Sequence, residues 1–285
     1  MTYIIHGATG AQGAPLLKRL SDAGKRAIAA VRSPDGLTVP SVLIDNASVE
    51  SLVAAYRGAD GVFIHLPQTA EAERIAYARN IVQAVEVARP TRVVISTSGI
   101  IVDAPNSALQ APADSAVAIL VDGIQNAAVS TAVIAPRLYL ENLLLPMVFD
   151  SVRSEGVLRY PIRADFPVSW SSHLDVAEVA ERLFENHVVT GIVGVGQLPG
   201  LVGADLAAGM GKYLGRNVSF ESVQPLDFRA LLEPMLGAPA AAAVAGQYQT
   251  LWQSADNAIA PATCAQRLLG IHPRSVQQWL AETLR

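Results

Sequence analysis

Three glycines at a spacing of three, Gly7, Gly10 and Gly13, lie in "GATGAQG" directly behind the apolar run "YIIH". Residues without a Cβ permit a sharp exit from a strand at Gly7, close approach of an anion to the backbone at Gly10, and tight packing of the next helix at Gly13. A helix over roughly residues 12–23 aims its N-terminal N–H groups at that anion. With Thr9, Ala11 and Gln12 between the glycines, and with a strand before and a helix after, the stretch reads as a cradle for a dinucleotide diphosphate. The next strand ends in "AAVRSP". A carboxylate there would bind a ribose hydroxyl; Arg32 instead offers a planar fork to a 2′-phosphate and a face for adenine. NADP(H) is therefore favoured, with NAD(H) left open.

The partner chemistry is conspicuous by what is missing. Carbonyl reduction with a nicotinamide commonly uses a tyrosine and a lysine one helical turn apart, the lysine lowering the phenol pKa so that it can pass a proton. No lysine occurs between Lys25 and Lys212, and no tyrosine between Tyr77 and Tyr139. Within that gap, the segment "ADSAVAILVDGIQNAA" has only Asp114, Ser115, Asp122 and Gln125 as useful polar groups. An acceptor that needs little acid help fits such a site, and Tyr139, Ser98 and His65 are the candidate proton donors. His173 and Asp175 in "SWSSHLDVAEVA" resemble a base and its orienter, but Asp175 is better explained as a helix cap and His173 as a residue facing the lobe. No His, Cys and carboxylate cluster has metal-ligand spacing, and no G-x-S-x-G elbow occurs.

These residues need elements to hold them. The runs 2–6, 26–32, 41–45, 61–66, 92–97 and 131–135 are short, rich in β-branched residues and bounded by turn formers, which predicts strands. A helix is expected between residues 71 and 88, with Ile75, Ala78, Val82 and Val85 as its apolar stripe. Alternating strands and helices of this kind predict an α/β fold: a Rossmann-type doubly wound parallel sheet over residues 1–150, joined by a further strand near 191–196. Residues 151–285 are expected to form a smaller, mostly helical substrate lobe over the carboxyl edge of the sheet. Helices are predicted from Tyr139 to about Arg153, from Asp175 to about Asn186, and through the Ala-rich stretch 237–246. Leu138, Tyr139, Asn142, Leu143, Met147, Phe166, Trp170 and Trp252 are the candidate substrate wall, suited to a flat hydrophobic aromatic molecule.

Composition narrows the classes further. The 285 residues are 51% hydrophobic and 16% charged with a formal net charge of −4. That balance argues against nucleic acid as the partner, since no excess of cations exists to neutralise phosphates. Cys264 is the single cysteine, which fits a reducing compartment. No signal segment or membrane span is visible, so a cytoplasmic monomer or homodimer without membrane or nucleic-acid partners is expected.

Together "GATGAQG", "AAVRSP", the Asp45-Asn46 pair and "PRLYLEN" (136–142) resemble the NmrA-like group of atypical short-chain dehydrogenases, strongly to about residue 145 and loosely beyond. That group includes NADPH-dependent quinone reductases and redox-sensing regulators. The resemblance implies that Arg32 meets the adenosine phosphate and that Asp45 or Asn46 lies near adenine. It also implies that "HLPQ", with His65, Leu66 and Pro67, runs beside the cofactor, and that Ser96, Thr97 and the Tyr139 segment approach the nicotinamide. The expected function is hydride transfer from NAD(P)H to a quinone or polycyclic aromatic ketone without the Tyr/Lys pair. Two alternatives remain at this stage: an aromatic polyketide tailoring enzyme whose reduced substrate reacts with oxygen, and a non-catalytic NAD(P) redox sensor.

Overall fold

Alternation of buried strands and amphipathic helices governs the first half of the chain, seen in a computed structural model that describes residues 1–284. The order is β1 (Thr2–His6), α1 (Gly13–Asp22), β2 (Arg26–Val31), β3 (Ser41–Leu43), α2 (Val49–Tyr56) and β4 (Gly61–Ile64). It continues with α3 (Glu71–Ala88), β5 (Arg92–Ser96), α4 (Ala116–Asn126) and β6 (Ser130–Pro136). A 3-10 turn, Leu140–Leu144, leads into α5 (Pro146–Glu155), β7 (Val157–Tyr160), α6 (His173–Glu185) and β8 (Gly191–Val195). The remainder is α7 (Gly203–Leu214), β9 (Ser219–Ser222), α8 (Pro225–Leu236), α9 (Ala238–Gln253), α10 (Ala265–Leu269) and α11 (Val276–Thr283).

Seven strands form one parallel sheet in the order β3-β2-β1-β4-β5-β6-β8. Helices α2, α3 and α4 cover one face, where Leu52, Ala78, Ile81, Val85, Leu120 and Ile124 pack on Ile4, Val62 and Ile95. Helices α1 and α6 cover the other, where Leu16, Leu20, Val176 and Leu183 meet Ile5, Phe63 and Val94. A sheet buried on both faces requires strands that are apolar throughout, and β4 and β5 are fully buried. The strand order reverses between β1 and β4, and the crevice at such a reversal, outside the strand carboxyl ends, is where ligands bind in these folds.

Several expected boundaries shift. Residues 139–153 are not one helix: the 3-10 turn comes first, and α5 begins at Pro146, which occupies a first-turn position where its missing N–H costs nothing. Asp175 does not cap α6. Ser172 is the cap, accepting from the Asp175 N–H, while Asp175 accepts in return from the Ser172 N–H at 2.8 Å, a reciprocal capping box. The stripe of α3 is centred on Ala78, Ile81, Ala84 and Val85, with Ile75 and Val82 only half-buried. The further strand expected near 191–196 is β8, paired with β6, and α6 also packs on the sheet, so residues 151–285 contribute to both parts.

The lobe has its own core of Leu140, Leu143, Val148, Tyr160, Phe166, Trp170, Phe228, Tyr248 and Trp279. It also contains a small parallel pair, β7 with β9, that the sequence pattern did not indicate. Both strands have four residues and are partly exposed, and β9 reads "SFES", with little β-branched content.

Candidate functional site

The glycine turn forms as its spacing requires. Gly7 adopts φ +59°, and a Cβ there would lie 2.1 Å from His65 Nε2. A Cβ on Gly13 would lie 2.3 Å from the Gly7 carbonyl oxygen, so this glycine lets α1 start against the turn. Gly10 differs: its nearest obstacle is the Gly7 oxygen at 3.3 Å, and Thr9, Gly10 and Ala11 are exposed. Two glycines are thus required by packing, and the third leaves backbone open for a ligand to approach. The Gly10 N–H donates to the Gly7 carbonyl at 2.8 Å, and the Ala14 N–H to the Gly10 carbonyl at 3.0 Å, which closes the turn onto the helix.

From this turn a cleft of about 520 Å³ runs across the carboxyl ends of β1, β2 and β4, lined by Gly7, Thr9, Val31, Arg32, Asn46, His65 and Pro67 among others. The strand reversal therefore brings together residues from four separate loops. Asn46 and not Asp45 lines the cleft; Asp45 faces solvent and accepts from the Ala47 N–H at 2.8 Å in its own turn. Leu66 directs its side chain into the core. A larger groove of about 1120 Å³ lies between α3 and α4, lined by Arg79, Glu86, Asp122 and neighbours. It shares no residue with the glycine turn, so its size gives it no claim on the chemistry.

Gln12 stitches the turn to β5. Its side chain is buried; Ser96 Oγ donates to Gln12 Oε1 at 2.6 Å, and Gln12 Nε2 donates to Ser98 Oγ at 2.9 Å. This holds Ser98 at φ +57°, a left-handed conformation that costs a non-glycine residue on the order of 1 kcal/mol or more. Gly99 follows at φ +87°, beneath the Arg137 carbonyl. Arg137 is itself buried and donates from Nη2 to Asp103 at 2.9 Å, so its charge is matched locally.

Past β6, the Tyr139 ring lies against His173, with ring centroids 4.4 Å apart and planes tilted by 47°. Burial pushes the Tyr139 phenol well above its ordinary pKa; the neighbouring Ser96 hydroxyl pulls the other way and the Glu141 charge adds to the rise. His173 is held low, at about 4, by burial and then by His65. His65 is also lowered, through burial, and His6 beneath it falls to about 3, with the Tyr56 hydroxyl 2.7 Å from its Nε2. Near neutral pH these imidazoles are uncharged. Glu141 accepts from the His173 backbone N–H at 3.0 Å and from Trp279 Nε1 at 3.1 Å, and burial raises its carboxyl above the usual range.

A dinucleotide fits the residues present. Asn46 Oδ1, His65 Nε2, Thr97 Oγ1 and the Tyr139 hydroxyl are all enclosed without a hydrogen-bond partner. They are four of twelve such atoms among the described residues, set apart from the others by their place along the carboxyl edge of the sheet. These four belong to loops at the carboxyl edge of the sheet, following β3, β4, β5 and β6 in turn. The substrate wall is only partly as expected. Leu138, Tyr139, Asn142 and Met147 are half-buried, whereas Trp170, Phe166 and Leu143 are sealed in the lobe core and present no surface. Trp252 is half-buried, its Nε1 donating to the Pro161 carbonyl at 2.8 Å. Their aromatic and aliphatic character signalled core, not wall. Glu141 and the Gln12 side-chain network escaped sequence reasoning. Glu141 stood inside "PRLYLEN", but only the fold brings Trp279 and His173 to it.

The parallel sheet flanked by helices on both faces is a Rossmann-type α/β fold. A family model of the NmrA-like family matches residues 2–253, and the chain belongs to that family. Among curated proteins it is 27% identical over 98% of its length, and 96% of the other chain, to a (4-alkanoyl-5-oxo-2,5-dihydrofuran-3-yl)methyl phosphate reductase of Streptomyces griseus. Among solved structures, the Citrobacter sp. triphenylmethane reductase complexed with NADP(H) superposes with a TM-score of 0.79 at 17% identity, over 97% of this chain and 98% of that one. An NADPH-dependent quinone oxidoreductase of Escherichia coli, complexed with NADPH, gives 0.71 at 18% identity over 100% of both chains. At such identities the likeness shows the fold. No helix among the described residues is long and apolar enough to cross a membrane, and no cluster among them could hold a metal ion.

Proposed function

We propose that this protein is an NADPH-dependent reductase that passes hydride to a quinone or polycyclic aromatic ketone without a Tyr/Lys pair. The observation that carries the reading is the set of four enclosed, unpartnered polar atoms on Asn46, His65, Thr97 and Tyr139, beside a glycine turn whose middle residue is open. Bound NADPH supplies the hydride. Gly10 and the α1 N-terminus receive the diphosphate, Arg32 the 2′-phosphate, Asn46 the adenosine, and His65, Pro67, Ser96 and Thr97 border the nicotinamide end.

The acid chemistry of the far end limits the acceptor. Tyr139 is a weakened acid, the imidazoles are neutral, and Arg137 is tied to Asp103. An isolated ketone would develop localised charge with nothing there to stabilise it. A quinone spreads that charge over an aromatic product and tolerates a slow proton. Named acceptors of the relatives, a quinone, triphenylmethane dyes and an unsaturated lactone, are all conjugated electrophiles, which supports the reading. Anaerobic NADPH oxidation with naphthoquinones, anthraquinones, an unsaturated lactone and a simple ketone tests it. Turnover on the conjugated acceptors and not on the ketone is expected. NADPH binding without turnover on any of them would transfer the protein to the redox-sensor class.

A further inference from the structure

Gln12 joins two parts of the site. Its main chain precedes α1 in the glycine turn, and its buried side chain makes no cap of its own but crosses to the carboxyl end of β5. Three bonds close a ring there. Ser96 Oγ donates to Gln12 Oε1 at 2.6 Å, Gln12 Nε2 donates to Ser98 Oγ at 2.9 Å, and the Ser98 backbone N–H donates to Ser96 Oγ at 3.2 Å. The two side-chain lengths fix the sense of the amide. The shorter is ordinary for O–H···O and too short for N–H···O, and the longer is the usual N–H···O length. The Ser96 proton is thereby spent on Gln12, whereas Ser98 Oγ only accepts within the ring, so its own proton is committed to neither partner. Ser98 is half-buried where Ser96 and Thr97 are sealed, and its φ of +57° is uncommon for a residue with a Cβ. Gly99 then brings the chain beside the Tyr139 ring, since a Cβ there would lie 3.8 Å from Tyr139 Cε2. Such a backbone persists where its surroundings impose it, and two of the three ring bonds fall on Ser98.

We propose that Gln12 is a positioning residue, which turns the Ser98 hydroxyl so that its one uncommitted proton faces the oxygen of the acceptor. The proposal rests on the reductase reading of this site. Ser98 keeps its proton throughout and acts as a hydrogen-bond donor to the charge that develops as hydride arrives. In balance, one NADPH, one quinone and one proton from solvent give oxidised NADP and the hydroquinone. A single neutral donor suits charge spread over an aromatic ring and leaves the localised charge of an isolated ketone unmatched.

The test uses the full-length protein and the variants S98G and Q12E. Glycine accepts a φ of +57° freely, so S98G removes the hydroxyl without new strain. The carboxylate of Q12E keeps the shape of the amide but only accepts, so Ser98 must donate to it and the free proton is lost. S98G and, near about pH 8, Q12E should each lower kcat at saturating NADPH and quinone by about tenfold or more. The double variant should match S98G to within about twofold, since both changes remove the same donor. Acidification should restore kcat of Q12E relative to the wild type, because the protonated carboxyl again donates to Ser98 while accepting from Ser96. The titratable groups nearest the ring are Tyr139 beside Ser96, His65 against Gly7 and His6 lining the cleft. All three are common to both proteins and cancel in that ratio. Wild-type kcat in either single variant, losses that multiply in the double, or a Q12E loss that acid leaves unchanged would overturn the proposal. A second arm needs no turnover and follows the Gln12 side-chain amide by NMR in the protein without cofactor. Slow exchange of its protons, quickened in S98G, is expected; fast exchange in both proteins would refute the ring. Should the wild type turn over no acceptor, the reductase reading fails and takes the donor role with it, while the NMR arm still decides whether Gln12 holds Ser98.

Discussion

Arg32 and Gly7 carry the most at the scale of single residues. Arg32 is exposed and lines the cleft mouth, so its substitution should change recognition without damaging the fold. Arg32→Ala should weaken NADPH binding by about 10- to 100-fold, the loss of one strong charge-assisted contact, and leave NADH nearly untouched. Titration calorimetry with both nucleotides checks this, and equal weakening of the two would remove Arg32 from the phosphate. Gly7→Ala places a methyl group 2.1 Å from His65 Nε2 at a positive φ. It should lower stability by on the order of 2 kcal/mol and abolish NADPH binding, read from urea denaturation and fluorescence titration. The glycine spacing was legible because packing and backbone geometry leave no other residue type at Gly7 and Gly13. Glu141 and the Ser98 turn were not, because their meaning lies in partners distant in sequence.

Among elements, the two ends of β5 do different work. Its carboxyl end delivers Ser96 and Thr97 to the site. Its first residue, Arg92, is fully buried at the opposite end and donates to the Leu183 carbonyl at 3.0 Å and Ser130 Oγ at 2.7 Å, with Val189 as a further acceptor. Arg92→Ala should therefore cost on the order of 3 kcal/mol in chemical denaturation, through stranded carbonyls and a cavity, yet leave the NADPH dissociation constant of the folded protein unchanged. A shift in that constant would mean the far end of the strand communicates with the cleft. The strands of the sheet were legible since burial on both faces forces continuous apolar runs. β7 and β9 were illegible since a short, half-exposed pair needs no such pattern, and the fully buried Phe166 and Trp170 are indistinguishable by type from a ligand wall.

For the molecule as a whole, the folded state buries imidazoles that the unfolded chain exposes. His6 and His173 hold pKa values of about 3 and about 4 when folded, against an ordinary 6.5. Between these limits the unfolded chain binds more protons, so stability is intact above 6.5 and declines as pH falls toward the folded values. Glu141, raised by burial, opposes this slope with one carboxyl against three histidines, since burial lowers His65 as well. Urea midpoints should thus be lower near about pH 5 than near about pH 7.5; a midpoint that held steady or rose on acidification would contradict the burial described.

The central claim, that the cleft receives NADPH and the Tyr139 end delivers its hydride to a conjugated acceptor, is tested most directly by rapid anaerobic mixing. Protein saturated with NADPH is mixed with a naphthoquinone while both nucleotide and quinone absorbance are followed. The prediction is loss of NADPH matched mole for mole by hydroquinone. NADPH that stays reduced in the presence of every quinone tried, or fails to bind at all, would contradict it.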